Sequence, residues 1–256
     1  SWHQGYNNQP FQGSTQNEPD YFLVTPDNNS CYMMDPATGK CWWLFTDASK
    51  TYMNSFAYDP ENKFLYYISE NSSLNSSNKE LKKFDFNTES ISTVIADIGT
   101  TLGIPTFNSG IESAAGFFYN GKLYLGIEGG QSSSIIRESM VWCIDLTTST
   151  AYQLYSTPSQ DGGGIVHDWA DMLVKDGELV NYNSARRGAN YSYSSYTHFN
   201  MMTGAATRYN NPSSTVKYSG QAGLNWSGTK YMIYDSVYVY NAGVISAPFR
   251  PVVQTV

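Results

Sequence analysis

"GFFYNGKLYLGIEGGQSSSIIRESMVWCIDLTTSTAYQLY", residues 116 to 155, holds four short apolar runs separated by three breaks of different kinds. Asn120-Gly121 stands between the first two runs, and both residue types tolerate the positive φ that a two-residue hairpin demands. A polar stretch separates the second run from the third. The third run stops at Asp145, whose side chain can cap the backbone of the turn that follows before "AYQLY" begins. The stretch therefore predicts four consecutive antiparallel strands.

Both halves of this pattern recur. The hairpin half returns as "SFAYDPENKFLYYIS" (55–69), "MLVKDGELVNYN" (172–183) and "GLNWSGTKYMIYD" (223–235). The other half returns as "CYMMDPATGKCWWLF" (31–45), "LKKFDFNTESISTVI" (81–95), "THFNMMTGAATRY" (197–209) and "VYVYNAGVIS" (237–246). Within it Asp35, Asp85, Asp145, Asn200 and Asn241 hold one place, roughly 40 to 60 residues apart, which is the repeat of four-stranded propeller blades. Four blades fall at about 52–96, 111–156, 168–210 and 220–247. An N-terminal unit supplies three strands and lacks an inner one, while "PVVQTV" at the C-terminus is an apolar strand with no blade. The expectation is an all-β chain: one β-propeller domain over residues 21–256, with five four-stranded antiparallel blades. The C-terminal strand is expected to close the ring by joining the N-terminal blade, since a closed ring leaves fewer exposed edges. Residues 1–20 read as an extended arm, unusual for such a segment in carrying Trp2, Tyr6 and Phe11.

"DPATGK" (35–40) and "YNGKLY" (119–124) resemble the blade turns of secreted and cell-surface β-propellers, and the resemblance covers roughly residues 21–256. It departs at "DLTTST", which lacks the Gly-Lys pair, and at the shortened "NAGVIS". What the resemblance implies is a fold and an extracellular setting, with little about activity, because propellers host binding modules and enzymes alike.

Composition agrees with that setting. Charged residues are only 14 % of the chain and aromatic residues 15 %, a balance common in extracellular all-β proteins. A net charge of −7, with Arg186-Arg187 the only adjacent arginines, argues against a nucleic-acid partner. No apolar run is long enough to span a membrane, and the first residues show neither the basic end nor the apolar stretch of a signal peptide, so an exported chain would be the mature form. Cys31 and Cys41 flank a turn and are candidates for a cross-strand disulfide, with two buried thiols as the alternative; Cys143 in "MVWCIDL" reads as core. No metal- or cofactor-binding motif occurs, so neither is expected.

In a propeller the first-to-second and third-to-fourth strand turns share one face, and here they are tight. The opposite face receives longer connections, among them 69–80, 97–111, 128–139, 156–168, 183–195 and 210–220. Long loops on a rigid scaffold usually carry recognition, and Tyr, Ser, Asn and Gly suit it. Arg186, Arg187, Tyr191 and Tyr193 in "SARRGANYSYSSY", together with Trp169, are the candidate binding residues; a merely solvated loop is the alternative. Aligned inner strands put Glu112 level with Asp168 at the mouth of the channel, with His167 beside the latter. These are the residues for an enzyme to use, as glycosidase acid and base or as a nucleophile's base. Capping of backbone amides where the strands enter the channel is the preferred reading, because no catalytic motif accompanies them.

Glycosylation motifs occur at Asn28, Asn71, Asn75, Asn190 and Asn225, a number that composition alone predicts. The reading is thus an extracellular or cell-surface, non-enzymatic adhesion module that binds a glycan or protein through its long-loop face. Two alternatives stand beside it. One is a structural subunit, glycosylated or not, of an extracellular filament or homo-oligomer joined through terminal strands. The other is a carbohydrate-active enzyme with carboxylates at the channel mouth.

Overall fold

The structure is a computed structural model that describes residues 22–27, 29–34, 41–49, 52–59, 61–70, 79–104, 111–129, 138–158, 166–175, 178–187, 190–210, 222–224, 230–235, 240–241, 244–245 and 250–255. The N-terminal arm lies outside them.

Five sheets follow one another along the chain. The first contains β1 (Phe22–Asp27), β2 (Ser30–Met34) and β3 (Cys41–Thr46). The second contains β4 (Tyr52–Asp59), β5 (Phe64–Glu70), β6 (Lys79–Asp85) and β7 (Ser90–Ile95), and the short helix α1 (Ile98–Leu102) follows it. In the third are β8 (Ile111–Tyr119), β9 (Lys122–Gly129), β10 (Glu138–Asp145) and β11 (Thr150–Pro158). The fourth holds β12 (Val166–Lys175), β13 (Glu178–Arg187), β14 (Asn190–Asn200) and β15 (Ala206–Asn210). In the last, β16 (Ala222–Leu224) pairs with β17 (Lys230–Asp235); β18 (Tyr240–Asn241) and β19 (Val244–Ile245) form a separate ribbon, and β20 (Arg250–Thr255) returns to the outer side of β17. Within the first four sheets every pairing is antiparallel between strands consecutive in the chain, as the repeat predicts. Contacts between sheets run through their leading strands, β4 to β8, β8 to β12, β12 to β16 and β16 to β1.

The turns form as their residues dictate. Asp85 accepts from the N–H of Asn87, Asp145 from those of Thr147 and Thr148, and Asn200 from those of Met202 and Thr203. Asn120 and Gly121 both take positive φ, 50° and 76°, the mirror-image turn that matches strand twist. Asp97 caps α1 by accepting from Thr100 N–H, and Gly103 ends it at φ 67°. This small helix lies inside the stretch 97–111 that reads as loop in the sequence.

Apolar runs in the inner sheets are continuous because each sheet has a neighbour on both faces. Leu65 and Tyr67 of β5 turn to the first sheet, where Cys31, Met33, Leu44 and Phe45 meet them; Phe45 stacks on Phe84 at 4.4 Å. The alternate residues Tyr66 and Ile68 turn the other way and pack with Leu123, Leu125, Ile127, Trp142 and Ile144 of the third sheet. Tyr124, Val141 and Cys143 lie on the far face of that sheet, with Met201 of the fourth packed against them. A fully buried side chain of this size contributes about 1.5–3 kcal/mol, so the sheet faces, rather than a central core, hold the molecule together.

Two expectations are corrected. The C-terminal strand does not join the N-terminal blade: β20 pairs with β17 along six residues, from Asp235↔Arg250 to Lys230↔Thr255. Closing the short connection to β17 costs less entropy than recruiting β1 from the opposite end of the chain, and an edge position tolerates Pro251, which lacks an N–H. Within "VYVYNAGVIS", Tyr240–Asn241 pairs with Val244–Ile245, but this ribbon stands outside the last sheet, whose order is β16-β17-β20. The second correction concerns Cys31 and Cys41. Cys31 pairs with Phe45 and Cys41 with Met34, a bulge lying between Cys31 and Tyr32. Cys31 is thus three residues from the partner of Cys41, about 10 Å along the strand, past the reach of about 7 Å between bridged Cα atoms. Cys31 is a buried thiol, as is Cys143.

Candidate functional site

Glu112 is the second residue of β8 and Asp168 the third of β12, and these strands are neighbours. Three of the leading strands break register with their partners at a corresponding place: between Asn54 and Ala57 in β4, between Ser113 and Ala115 in β8, and between Trp169 and Met172 in β12. Counted from that break, Glu112 and Asp168 hold corresponding positions in their own strands. Glu112 is opposite Glu128, His167 opposite Ala185, Asp168 opposite Ser184 and Trp169 opposite Asn183. In β4 the bulge residue Ser55 has φ 57°, and its N–H donates to Asn54 Oδ1 at 2.9 Å. Gly116 of β8 runs so close to this bulge that a Cβ there would stand 2.3 Å from the Ser55 carbonyl oxygen.

The stretch 183–195, a loop by its composition, is instead the end of a long hairpin. Strand β13 continues to Arg187 and β14 starts at Asn190, with pairs Ala185↔Tyr193, Arg186↔Tyr191 and Arg187↔Asn190. Alternating Tyr and Ser fit a strand better than a loop, and Gly188-Ala189 is a connection of hairpin length. Measured back from the capping residues Asn200 and Asp145, the paired strand β14 extends three residues further than β10, about 10 Å at the rise of a strand. Arg186, Arg187, Tyr191 and Tyr193 are thereby gathered at the end of one hairpin, on the fourth blade. Asn190 lies at the same end; Asn28, Asn71, Asn75 and Asn225 fall outside the described residues.

The sequence reading misses a third constellation. Asp47, just after β3, is buried against β5 and β6 of the second sheet. Its Oδ2 accepts from Lys82 Nζ at 2.7 Å, Tyr67 Oη at 3.0 Å and Ser69 Oγ at 3.5 Å; its Oδ1 accepts from Ser49 Oγ at 2.6 Å and Ser49 N at 3.2 Å. Lys82 Nζ also donates to Ser49 Oγ at 2.8 Å and has Glu80 Oε2 at 3.8 Å. Burial alone would raise the Asp47 carboxyl, but hydrogen bonds from Lys82, Ser49 and Tyr67 outweigh it and hold it below the usual range. Burial first, then the charge of Asp47, pushes the Tyr67 phenol well above its ordinary value. The only trace of this in the sequence is "KELKKFD": a strand buried on both faces must send a lysine inward.

No family model and no curated protein matches the chain. Solved structures do. An exo-β-1,3-galactanase from Clostridium thermocellum is similar over 99% of this chain and 58% of its own, with TM-score 0.59 and 13% identity. An exo-β-1,3-galactanase from Phanerochaete chrysosporium, solved with β-1,3-galactotriose, is similar over 93% and 60%, with TM-score 0.57 and 10% identity. A thermostable family-43 glycoside hydrolase is similar over 96% and 97%, with TM-score 0.52 and 11% identity. The fold is a β-propeller. The chain spans about half the length of several structures it matches, and at such identity the likeness speaks of architecture alone.

Among the described residues no three His, Cys, Asp or Glu side chains gather as metal ligands would, and no helix is long and apolar enough to cross a membrane.

Proposed function

We propose that this propeller is an extracellular, non-enzymatic binding module that takes a glycan at the end of the β13–β14 hairpin. The observation that carries the reading is the convergence of two arginines and two tyrosines on that one extended element. Tyrosine rings offer flat amphipathic area to a sugar face at low entropic cost, and arginine offers a fork of donors to hydroxyl or carboxylate oxygens. A β-1,3-galactan is the first ligand to try, since a galactanase of like fold was solved with β-1,3-galactotriose. Calorimetric titration with galactan oligosaccharides and a glycan array is the test. Arg186→Ala with Tyr191→Ala is expected to weaken binding at least about tenfold, some 1.4 kcal/mol, with an unchanged melting temperature. Equal affinity in the double variant, or no glycan bound by the parent chain, overturns the reading.

One observation favours a second reading, a carbohydrate-active enzyme: Glu112 and Asp168 hold corresponding positions on neighbouring leading strands. Release of reducing sugar by the parent chain, abolished in Asp168→Asn while the fold persists, would establish it in place of the first.

A further inference from the structure

The cluster around Asp47 holds every group that an amide condensation needs. An amine, Lys82 Nζ, lies against the carboxyl group of Asp47 at 2.7 Å, with both side chains buried. The surroundings are apolar and largely aromatic, with Phe45, Phe84, Leu65 and Tyr67 in the same cluster. Two donors, the N–H and O–H of Ser49, meet at Oδ1, and the Tyr67 hydroxyl donates to Oδ2. A second carboxylate, Glu80, stands 3.8 Å from the amine. We infer that Asp47 and Lys82 are joined by an Nζ–Cγ isopeptide bond, a covalent staple from the end of the first blade to β6 of the second.

The step balances without any further reagent. Along the 2.7 Å hydrogen bond the Lys82 ammonium passes one proton to Asp47 Oδ2, and its freed lone pair attacks Cγ of the now neutral carboxyl, with Glu80 beside the amine. Negative charge gathers on Oδ1, where the two Ser49 donors stabilise it. The nitrogen gives up a second proton, and Oδ2 departs with both as water, Glu80 serving as the relay. One C–O bond breaks, one C–N bond forms, and the amide nitrogen keeps a single hydrogen. Holding an amine against a carboxyl group in this way lowers the entropic cost of their reaction, which in the best-oriented intramolecular cases reaches effective concentrations on the order of 10⁵–10⁸ M. The product also replaces two buried ions, whose desolvation is costly, with a neutral amide.

Peptide mass spectrometry on the denatured full chain after trypsin digestion tests the bond. Residues 41–50 are expected joined to residues 80–83, one water lighter than the two peptides together, with no cleavage after Lys82. In Lys82→Arg, which keeps a cation but has no condensing amine, the two segments are expected as separate linear peptides. Should that variant fail to fold, Glu80→Gln at its less buried position carries the test, and linear peptides are again expected to predominate. Recovery of residues 41–50 from the parent protein as a linear peptide of unmodified mass would overturn the staple and leave a plain ion pair. A branched peptide undiminished in Glu80→Gln would overturn the role given to Glu80.

Discussion

Glu89, Ser149 and Gly204 occupy one place in three successive blades, four residues past the capping Asp85, Asp145 and Asn200, and all three have positive φ, 53°, 54° and 70°. The Gly of "DPATGK" stands at that place in the sequence, so its loss from "DFNTES" and "DLTTST" looks there like loss of the turn. The turn survives because the Asx cap, rather than the glycine, holds it. An L-residue pays on the order of 1 kcal/mol in this conformation, so Glu89→Gly is expected to stabilise the chain by roughly 0.5 kcal/mol, net of the added freedom of glycine when unfolded. Urea unfolding with an unchanged slope would register it; a loss of stability would refute the assignment of strain to Glu89. The caps were legible in the sequence because an Asx turn is a local event. The non-bonding of Cys31 and Cys41 was not, since the register of the turn pairs Cys41 with Met34 rather than with Cys31, and the spacing alone does not set that register. Asp47 and Lys82 were equally hidden, being 35 residues apart and brought together only by blade packing.

At the scale of the element, three four-stranded blades were readable from alternating apolar runs and tight turns. The end of the β13–β14 hairpin, 183–195, reads as a loop in the sequence because Ser, Asn, Gly and Arg dominate its composition, whereas the alternation of Tyr191 and Tyr193 is what the backbone obeys. Spacing between blades depends on close backbone approaches that no pattern announces. Gly116 is one: its missing side chain lets β8 lie against the Ser55 carbonyl of β4. Gly116→Ala is expected to force these strands apart and cost about 1–3 kcal/mol, as overpacking does. Gly121→Ala, at a position open to solvent though strained in φ, serves as the comparison. A Gly116→Ala chain as stable as the parent would mean that β4 and β8 do not approach as described.

For the whole molecule, the succession of leading strands and the alternate burial of their neighbours make a scaffold whose turns are held by acidic side chains. Asp97 lies below the usual carboxylate range chiefly through the Thr100 hydroxyl and N–H, and Asp145 chiefly through the Thr148 N–H; for Asp85 a slight burial penalty is outweighed by Asn87. A depressed carboxylate contributes stability above its unfolded value and loses it as pH falls through the folded one. The melting temperature is therefore expected to hold steady from neutral pH and to drop once pH passes below about 3.8, the ordinary value of these groups. A melting temperature that falls well above that pH would point to other groups. The C-terminal strand shows what the repeat could not reveal: its apolar pattern declared a strand, but only the nearness of β17 decided its partner. Recognition is proposed to rest on the end of the β13–β14 hairpin. Residues 186–192 can be replaced by Asn-Gly, which joins the paired Ala185 and Tyr193 in a two-residue turn, and the affinity for the galactan oligosaccharide or array glycan then compared with that of the parent chain. Binding lost with the melting temperature preserved is the result the account predicts. Binding retained by the shortened hairpin would contradict it.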